Sequence, residues 1–314
     1  MTSKERILVI RLAALGDIVL CFQAFHEIRC AHPDAEIAFL TMPAYAAFAK
    51  TMPWFNQVIL DERPPAWRLD LWLKLVQKIR AFAPTRVYDL QGKNRQNILY
   101  MLLGGSRACE WSGAAPLASH PRLWPPLQNM HFTDFIAAQL QRADVPTQPS
   151  ADLSWLQDPL DDFHLPSRYI VLIPSCAPGR EYKRWPLSYY ADLAQRLHRE
   201  GTECIAIGTR ADHGLVTTLR GHAPHLIDMT GRTTIPQLAS LMRRSVAVVG
   251  NDTGPTHLAA ALGAPTLALM SDRINPVWSA PKGPCVRWVQ GGPMSMLSVD
   301  KVSLALKELL AHKA

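Results

Sequence analysis

No Gly-x-Gly tripeptide occurs anywhere in the 314 residues. The turn that brings backbone up to a dinucleotide's pyrophosphate is therefore missing, which disfavours nicotinamide- and flavin-dependent oxidoreductases. Gly-x-x-x-x-Gly-Lys-Ser/Thr is absent as well, against a P-loop kinase or ATPase, and so is Gly-x-Ser-x-Gly, against an α/β-hydrolase. No Asp-x-Asp pair is present to carry a metal on a sugar-nucleotide diphosphate. The six cysteines are scattered, with no Cys-x-x-Cys and no Cys/His cluster at zinc spacing. No metal site is expected, and the thiols read as small core residues in a reduced, cytoplasmic setting.

Long apolar runs are also lacking. No stretch approaches the ~18 uncharged apolar residues of a membrane span. The first residues have no signal-peptide layout, because Arg11 and Asp17 interrupt the apolar run. A soluble, at most peripheral, protein is expected. Hydrophobic content of 48% with 19% charged residues fits a folded chain rather than a disordered one.

Basic residues outnumber acidic ones, 33 to 26, for a net charge of +7. The excess is similar in the two halves, 16 against 13 up to residue 155 and 17 against 13 beyond it, so it reads as spread out. A positive field suits anionic partners such as nucleotides, phosphorylated lipids or an anionic membrane surface. Nucleic acid is not expected, since no recognition motif accompanies the charge.

Short apolar strands alternate with amphipathic helices along most of the chain. Strands are expected at 6–12, 36–41, 57–61 and 86–91, with helices over 17–31 and 67–82. The Pro-rich stretch 112–128 breaks the rhythm. A helix over about 130–143 follows, and the segment up to residue 155 reads as a linker. The rhythm resumes with strands at 169–175, 203–208, 225–230, 246–252 and 265–270, and with helices at 187–200, 212–222, 234–245 and from about 255. The pattern predicts an α/β protein with two doubly wound, Rossmann-like domains, 1–155 and 165–298, facing a central cleft. Residues 299–314 add a C-terminal helix for which packing on the first domain is open. In such sheets ligands sit beyond the carboxyl ends of the strands.

Three stretches place chemistry there. Asp17 follows the first strand; it can cap the next helix or act as a base at a cleft mouth. Asp252-Thr253-Gly254 ends an apolar strand and opens an apolar helix with His257 on its first turn. That is either an ordinary strand-to-helix turn or an anion site built on free amides and the positive end of the helix dipole. The loop from Ser175 through Gly179, Arg180, Lys183 and Arg184 to Trp185-Pro186 is either a diphosphate clamp or a solvated basic loop with Trp185 packed beneath. After the fourth strand, Asp89 and Gln91 precede Lys93 and Arg95 across a Gly turn.

Taken in order, these stretches resemble the heptosyltransferase family of inverting glycosyltransferases. The resemblance rests on Arg11 with Gly16-Asp17, on Asp89-Leu90-Gln91-Gly92, on Lys183-Arg184-Trp185-Pro186, and on Asp252-Thr253-Gly254-Pro255-Thr256-His257. The chain departs from the family at Ala13, where Ser or Thr is common, and in the loop Ser175 to Gly179. The resemblance implies a GT-B fold that binds ADP-heptose in the second domain and an anionic, lipid-linked lipopolysaccharide inner-core acceptor (Kdo or heptose) in the first. It implies Asp17 as general base and Lys183 as catalytic. It further implies donor contacts from Ser175, Lys183, Asp212 (ribose), Thr233 (adenine), Asp252, Thr253, Gly254 and His257. Acceptor contacts fall to Arg11, Arg63, Gln91, Lys93 and Arg95. No cofactor or metal is implied, and transient docking on the cytoplasmic face of the inner membrane is expected. A family member using another sugar nucleotide or acceptor, a sugar-nucleotide epimerase and a non-catalytic sugar-nucleotide-binding module are the alternatives. The epimerase is disfavoured by the missing Gly-x-Gly.

Overall fold

The computed structural model describes residues 4–123 and 129–311. The chain divides into two compact units, Met1–Trp155 and Leu156–Ala314. Each is built on a six-stranded, wholly parallel sheet. In the first unit the strands are β1 (Arg6–Ile10), β2 (Glu36–Thr41), β3 (Gln57–Leu60), β4 (Arg86–Asp89), β5 (Glu110–Gly113) and β6 (His120–Pro121), in the order β3-β2-β1-β4-β5-β6. In the second they are β7 (Tyr169–Ile173), β8 (Glu203–Ala206), β9 (Ile227–Asp228), β10 (Ala247–Asn251), β11 (Thr266–Met270) and β12 (Val286–Gln290), in the order β9-β8-β7-β10-β11-β12. The two sheets thus share one winding, with the first and fourth strands of each unit side by side at the centre.

The central strands are buried from end to end, as a sheet covered on both faces requires. In the first unit the helix Leu69–Phe82 lays Trp72, Leu75, Val76 and Ile79 on the sheet at helical spacing. In the second, Leu187–Arg199 does the same with Tyr190, Leu193, Ala194 and Leu197. The helix expected over 17–31 is two helices, Leu15–Val19 and Phe22–Ala31. A tightened bond from the Cys21 amide to the Ile18 carbonyl, 3.0 Å, closes the first before the second begins. The segment expected as a linker is fastened down. Gln23 donates to the carbonyls of Gln148 and Pro149, and Trp155 sits edge-on to Trp54 with ring centres 5.4 Å apart.

The Pro-rich stretch 112–128 holds the end of β5 and all of β6; residues 124–128 lie outside the described residues. The C-terminal helix Val299–Ala311 contributes Val302, Leu306 and Leu309 to the second unit's core. Its buried apolar face belongs to that core.

Candidate active site

In each sheet the winding reverses between the first and fourth strands, and ligands of doubly wound folds collect beyond the carboxyl ends at that point. All four sequence motifs lie there. Arg11 to Asp17 leaves β1, and Asp89 to Gly92 leaves β4, its neighbour. Ser175 to Pro186 leaves β7, and Asp252 to His257 leaves β10, its neighbour.

In the first unit Asp17 is the third residue of the helix Leu15–Val19. Its Oδ2 accepts the Ala14 amide at 3.0 Å, which is the acidic half of a capping box; Ala14 has no side-chain acceptor to supply the other half. Its Oδ1 pairs with Arg11 Nη2 at 3.0 Å, and 45% of the side chain remains exposed. Asp17 therefore caps the helix, and its carboxylate is also oriented and accessible at the end of the central strand.

Arg11 is 4% exposed, donates to the Leu90 carbonyl at 2.5 Å and lies 5.0 Å from the centre of the Phe132 ring. A guanidinium so buried, turned onto the Leu90 carbonyl and the Asp17 carboxylate, orients Asp17. Gln91 accepts the Leu12 amide at 3.0 Å, tying the β4 loop to the β1 loop. Asp89, buried, accepts the amides of Gln91 and Gly92 at 3.0 and 2.9 Å and so shapes that loop. Burial pushes the Asp89 carboxyl up, against the pull of the Arg122 guanidinium. Arg95 makes a two-pronged pair with buried Asp61 at 2.6 and 3.0 Å and lies 4.1 Å from the Trp72 ring centre. Arg63 and Lys93 stand exposed. Tyr45, which accepts the Leu15 amide at 3.1 Å, helps hold the turn, and sequence reasoning missed it.

In the second unit Asn251 organises the site and was passed over as the mere end of a strand. It is wholly buried. Its Nδ2 donates to the carbonyls of Ile173, Pro174 and Ser175, and its Oδ1 accepts the Trp185 amide and the Tyr190 hydroxyl. One side chain thus fixes the β7 loop against the segment carrying Lys183. Trp185 is indeed packed beneath that loop, with its indole donating to the Leu297 carbonyl at 2.7 Å.

Lys183 Nζ reaches Asp252 Oδ2 at 2.6 Å and the Asp252 carbonyl at 3.2 Å. His257 Nε2 meets the other oxygen of Asp252 at 3.0 Å. Burial raises the Asp252 carboxyl, but the bond from His257 and the ammonium of Lys183 outweigh it, and its pKa lies below the ordinary value. An ammonium carries three donors, so with two turned on Asp252 one is left for a ligand. With Asp252 ionised, Nε2 of His257 donates to it, and Nδ1 is the ring nitrogen turned away from Asp252. Nδ1 of His257 and the hydroxyl of Thr253 are buried without hydrogen-bond partners among the described residues. Both flank the start of the helix Gly254–Ala261, whose first amides have no intrahelical acceptor.

The remaining donor candidates are placed as follows. Ser175 is half-buried, its carbonyl accepting from Asn251. Asp212 turns Oδ2 back to the amide and hydroxyl of Thr209, both at 2.7 Å. Thr233 is half-buried just ahead of Thr234, which caps the helix Ile235–Arg244. Among the described residues no group of three or more His, Cys, Asp or Glu comes together as a metal would require.

The profile of glycosyltransferase family 9 (heptosyltransferase) matches residues 72–281. The lipopolysaccharide core heptosyltransferase OpsX of Haemophilus influenzae is 25% identical over 300 residues, covering 89% of this chain and 82% of that protein. Lipopolysaccharide heptosyltransferase 2 of Escherichia coli is 26% identical over 291 residues, covering 84% and 82%. Among solved structures, a family 9 glycosyl transferase from Veillonella parvula superposes with a TM-score of 0.83 at 19% identity, covering 99% of both chains. The ADP-heptose lps heptosyltransferase II of E. coli superposes with a TM-score of 0.77 at 22% identity, covering 98% and 99%. The fold of those structures is GT-B, the architecture expected from the sequence, and the chain belongs to glycosyltransferase family 9, the heptosyltransferases.

Proposed function

We propose that the chain transfers heptose from ADP-heptose to a Kdo or heptose of the lipopolysaccharide inner core, with inversion at the anomeric carbon. The observation that carries the mechanism is the Asp17 carboxylate, oriented by Arg11 and the Ala14 amide and still open to solvent. The acceptor hydroxyl attacks the anomeric carbon from the face opposite the diphosphate, its proton passes to Asp17, and the bond to the diphosphate oxygen breaks. ADP departs with added negative charge on its terminal phosphate. That charge is met by the free donor of Lys183, held in place by Asp252, and by the Thr253 hydroxyl and the Gly254 amide at the helix start. No metal or cofactor enters this reading. The relatives, a lipopolysaccharide core heptosyltransferase and an ADP-heptose lps heptosyltransferase, support the sugar and the lipopolysaccharide core. Asp212 and Thr233 are assigned to ribose and adenine, while exposed Arg63 and Lys93 meet the acidic acceptor. The site of action is the cytoplasmic face of the inner membrane.

The test is ADP release from ADP-heptose with a heptose-deficient core acceptor, in wild type and Asp17→Asn. Turnover in wild type and a loss of about 100-fold or more in the variant are expected, the usual scale for a general base. Equal turnover would leave Asp17 a helix cap. Donor binding without turnover in either protein would favour another acceptor or a non-catalytic module.

A further inference from the structure

The charge of the first unit is not spread out. Residues 61–109 hold nine Lys/Arg and four Asp/Glu, a formal +5, against 16 and 13, or +3, for residues 1–155. Comparing halves conceals this. Arg68, Arg86 and Arg95 are paired with Asp70, Glu110 and Asp61 and Asp89 is buried, so the excess on the surface is carried by Arg63, Lys74, Lys78, Arg80, Lys93 and Arg107 against Glu62. The same region is unusually apolar. Among the described residues of the first unit, every exposed large hydrophobic side chain falls between Trp67 and Leu123.

Two helices carry most of the exposed apolar side chains, Leu69–Phe82 and Asn94–Leu103. They are laced side by side. Arg95, near the start of the second, lies over the Trp72 ring near the start of the first, and Arg80 donates to the Leu102 carbonyl at 2.9 Å near both ends. Leu69 and Leu73 lie on the stripe that carries Arg80, within about 40° around the axis. Ile98 and Leu102 lie on the stripe that carries Arg95, three and seven residues on. Both apolar rows therefore border the furrow between the helices. Leu69 is 68% exposed, Met101 71% and Trp67, just before the first helix, 80%. Lys74 and Lys78, four apart and exposed, lie on the other flank of the first helix, at least about 100° round the axis from the leucine row, with exposed Asp70 and Gln77 between.

Isolated aliphatic side chains and a projecting indole, with two lysines on the outer flank of the same helix, match a bilayer surface that is apolar below and anionic above. We propose that this two-helix face docks on a membrane of anionic phospholipid, with Trp67, Leu69, Leu73 and Met101 entering the headgroup region and Lys74 and Lys78 meeting lipid phosphates. The inference deepens the functional reading above by giving the lipid-linked acceptor's enzyme its docking face, and it rests on that reading only for its purpose.

Vesicle co-flotation tests it, with the full chain, no donor and no acceptor. Wild type is expected to float with phosphatidylglycerol vesicles and far less with phosphatidylcholine. Lys74→Gln/Lys78→Gln should weaken binding roughly 25-fold, from about fivefold per charge. Trp67→Ser/Leu73→Ser should weaken it by about tenfold or more, and unchanged thermal unfolding would show both folded. Asp17→Asn should bind as wild type does, so failure of the catalytic reading leaves this result standing. The proposal is overturned if wild type ignores anionic vesicles, if either double variant binds undiminished, or if the apolar pair instead changes the sedimenting mass, which would make the face a contact between copies.

Discussion

Asp252 lies between an ammonium and an imidazole, and its depressed pKa ties the second unit's stability to pH. A carboxylate whose folded pKa is lowered contributes stability above its ordinary pKa, and that contribution drains away as pH falls through the folded value. Asp252→Asn should therefore cost about 3 kcal/mol near neutrality, where it leaves Lys183 facing a neutral partner. Urea unfolding of the two proteins should converge below about pH 4. A difference that persists undiminished in acid would place the stabilisation in shape rather than charge. His257 and Lys183 were legible as candidates from Asp-Thr-Gly and Lys-x-Trp-Pro, but not the fact that both grip one carboxylate. Chain separations of 69 and 5 residues carry no sign of it.

At the scale of elements, β10 depends on a close approach at Gly250. A Cβ there would lie 2.6 Å from Ile173 Cβ and 2.8 Å from Thr256 Oγ1, on the neighbouring strand and the helix it enters. Gly250→Ala should destabilise by about 1–3 kcal/mol, as overpacking does, and should weaken ADP binding by displacing Thr253 and Gly254. Intact ADP affinity in a destabilised protein would separate the strand from the site. Arg95 makes the opposite case. Arg95→Ala strands buried Asp61 and should cost about 3 kcal/mol of stability with the KM for acceptor little changed; a large KM effect in a stable protein would restore its acceptor role. The helix Leu69–Phe82 was legible because its apolar residues keep to one face. Asn94–Leu103 escaped notice because Ile98, Met101 and Leu102 point outward and blur the helical period. β6 is two residues long, and β12 carries exposed Arg287 and Trp288, so neither shows the apolar run of a buried strand.

Across the whole molecule, charge is the quantity that composition states and position transforms. A net +7 says only that anions are welcome, whereas the excess gathered in residues 61–109 directs the field at one part of the first unit. Exposed charges are screened within about 10 Å at 0.1 M salt. Turnover on a vesicle-borne acceptor should fall as salt rises from 50 mM to 0.5 M, values chosen to bracket about that screening length. Turnover on a delipidated, soluble acceptor should fall less. Equal salt sensitivity would assign the charge to the acceptor sugar rather than the membrane.

From the sequence alone come two doubly wound domains, the carboxyl-end turns and the family motifs, because strand burial, helical period and turn chemistry are all local. Tertiary structure decided which motifs share a switch point. It also decided that Arg11 and Arg95 face inward to Asp17 and Asp61, that Asn251 governs the second site, and that the outward leucines of two helices meet along one furrow. Each depends on residues brought together by sheet order and helix packing, which spacing along a chain does not encode.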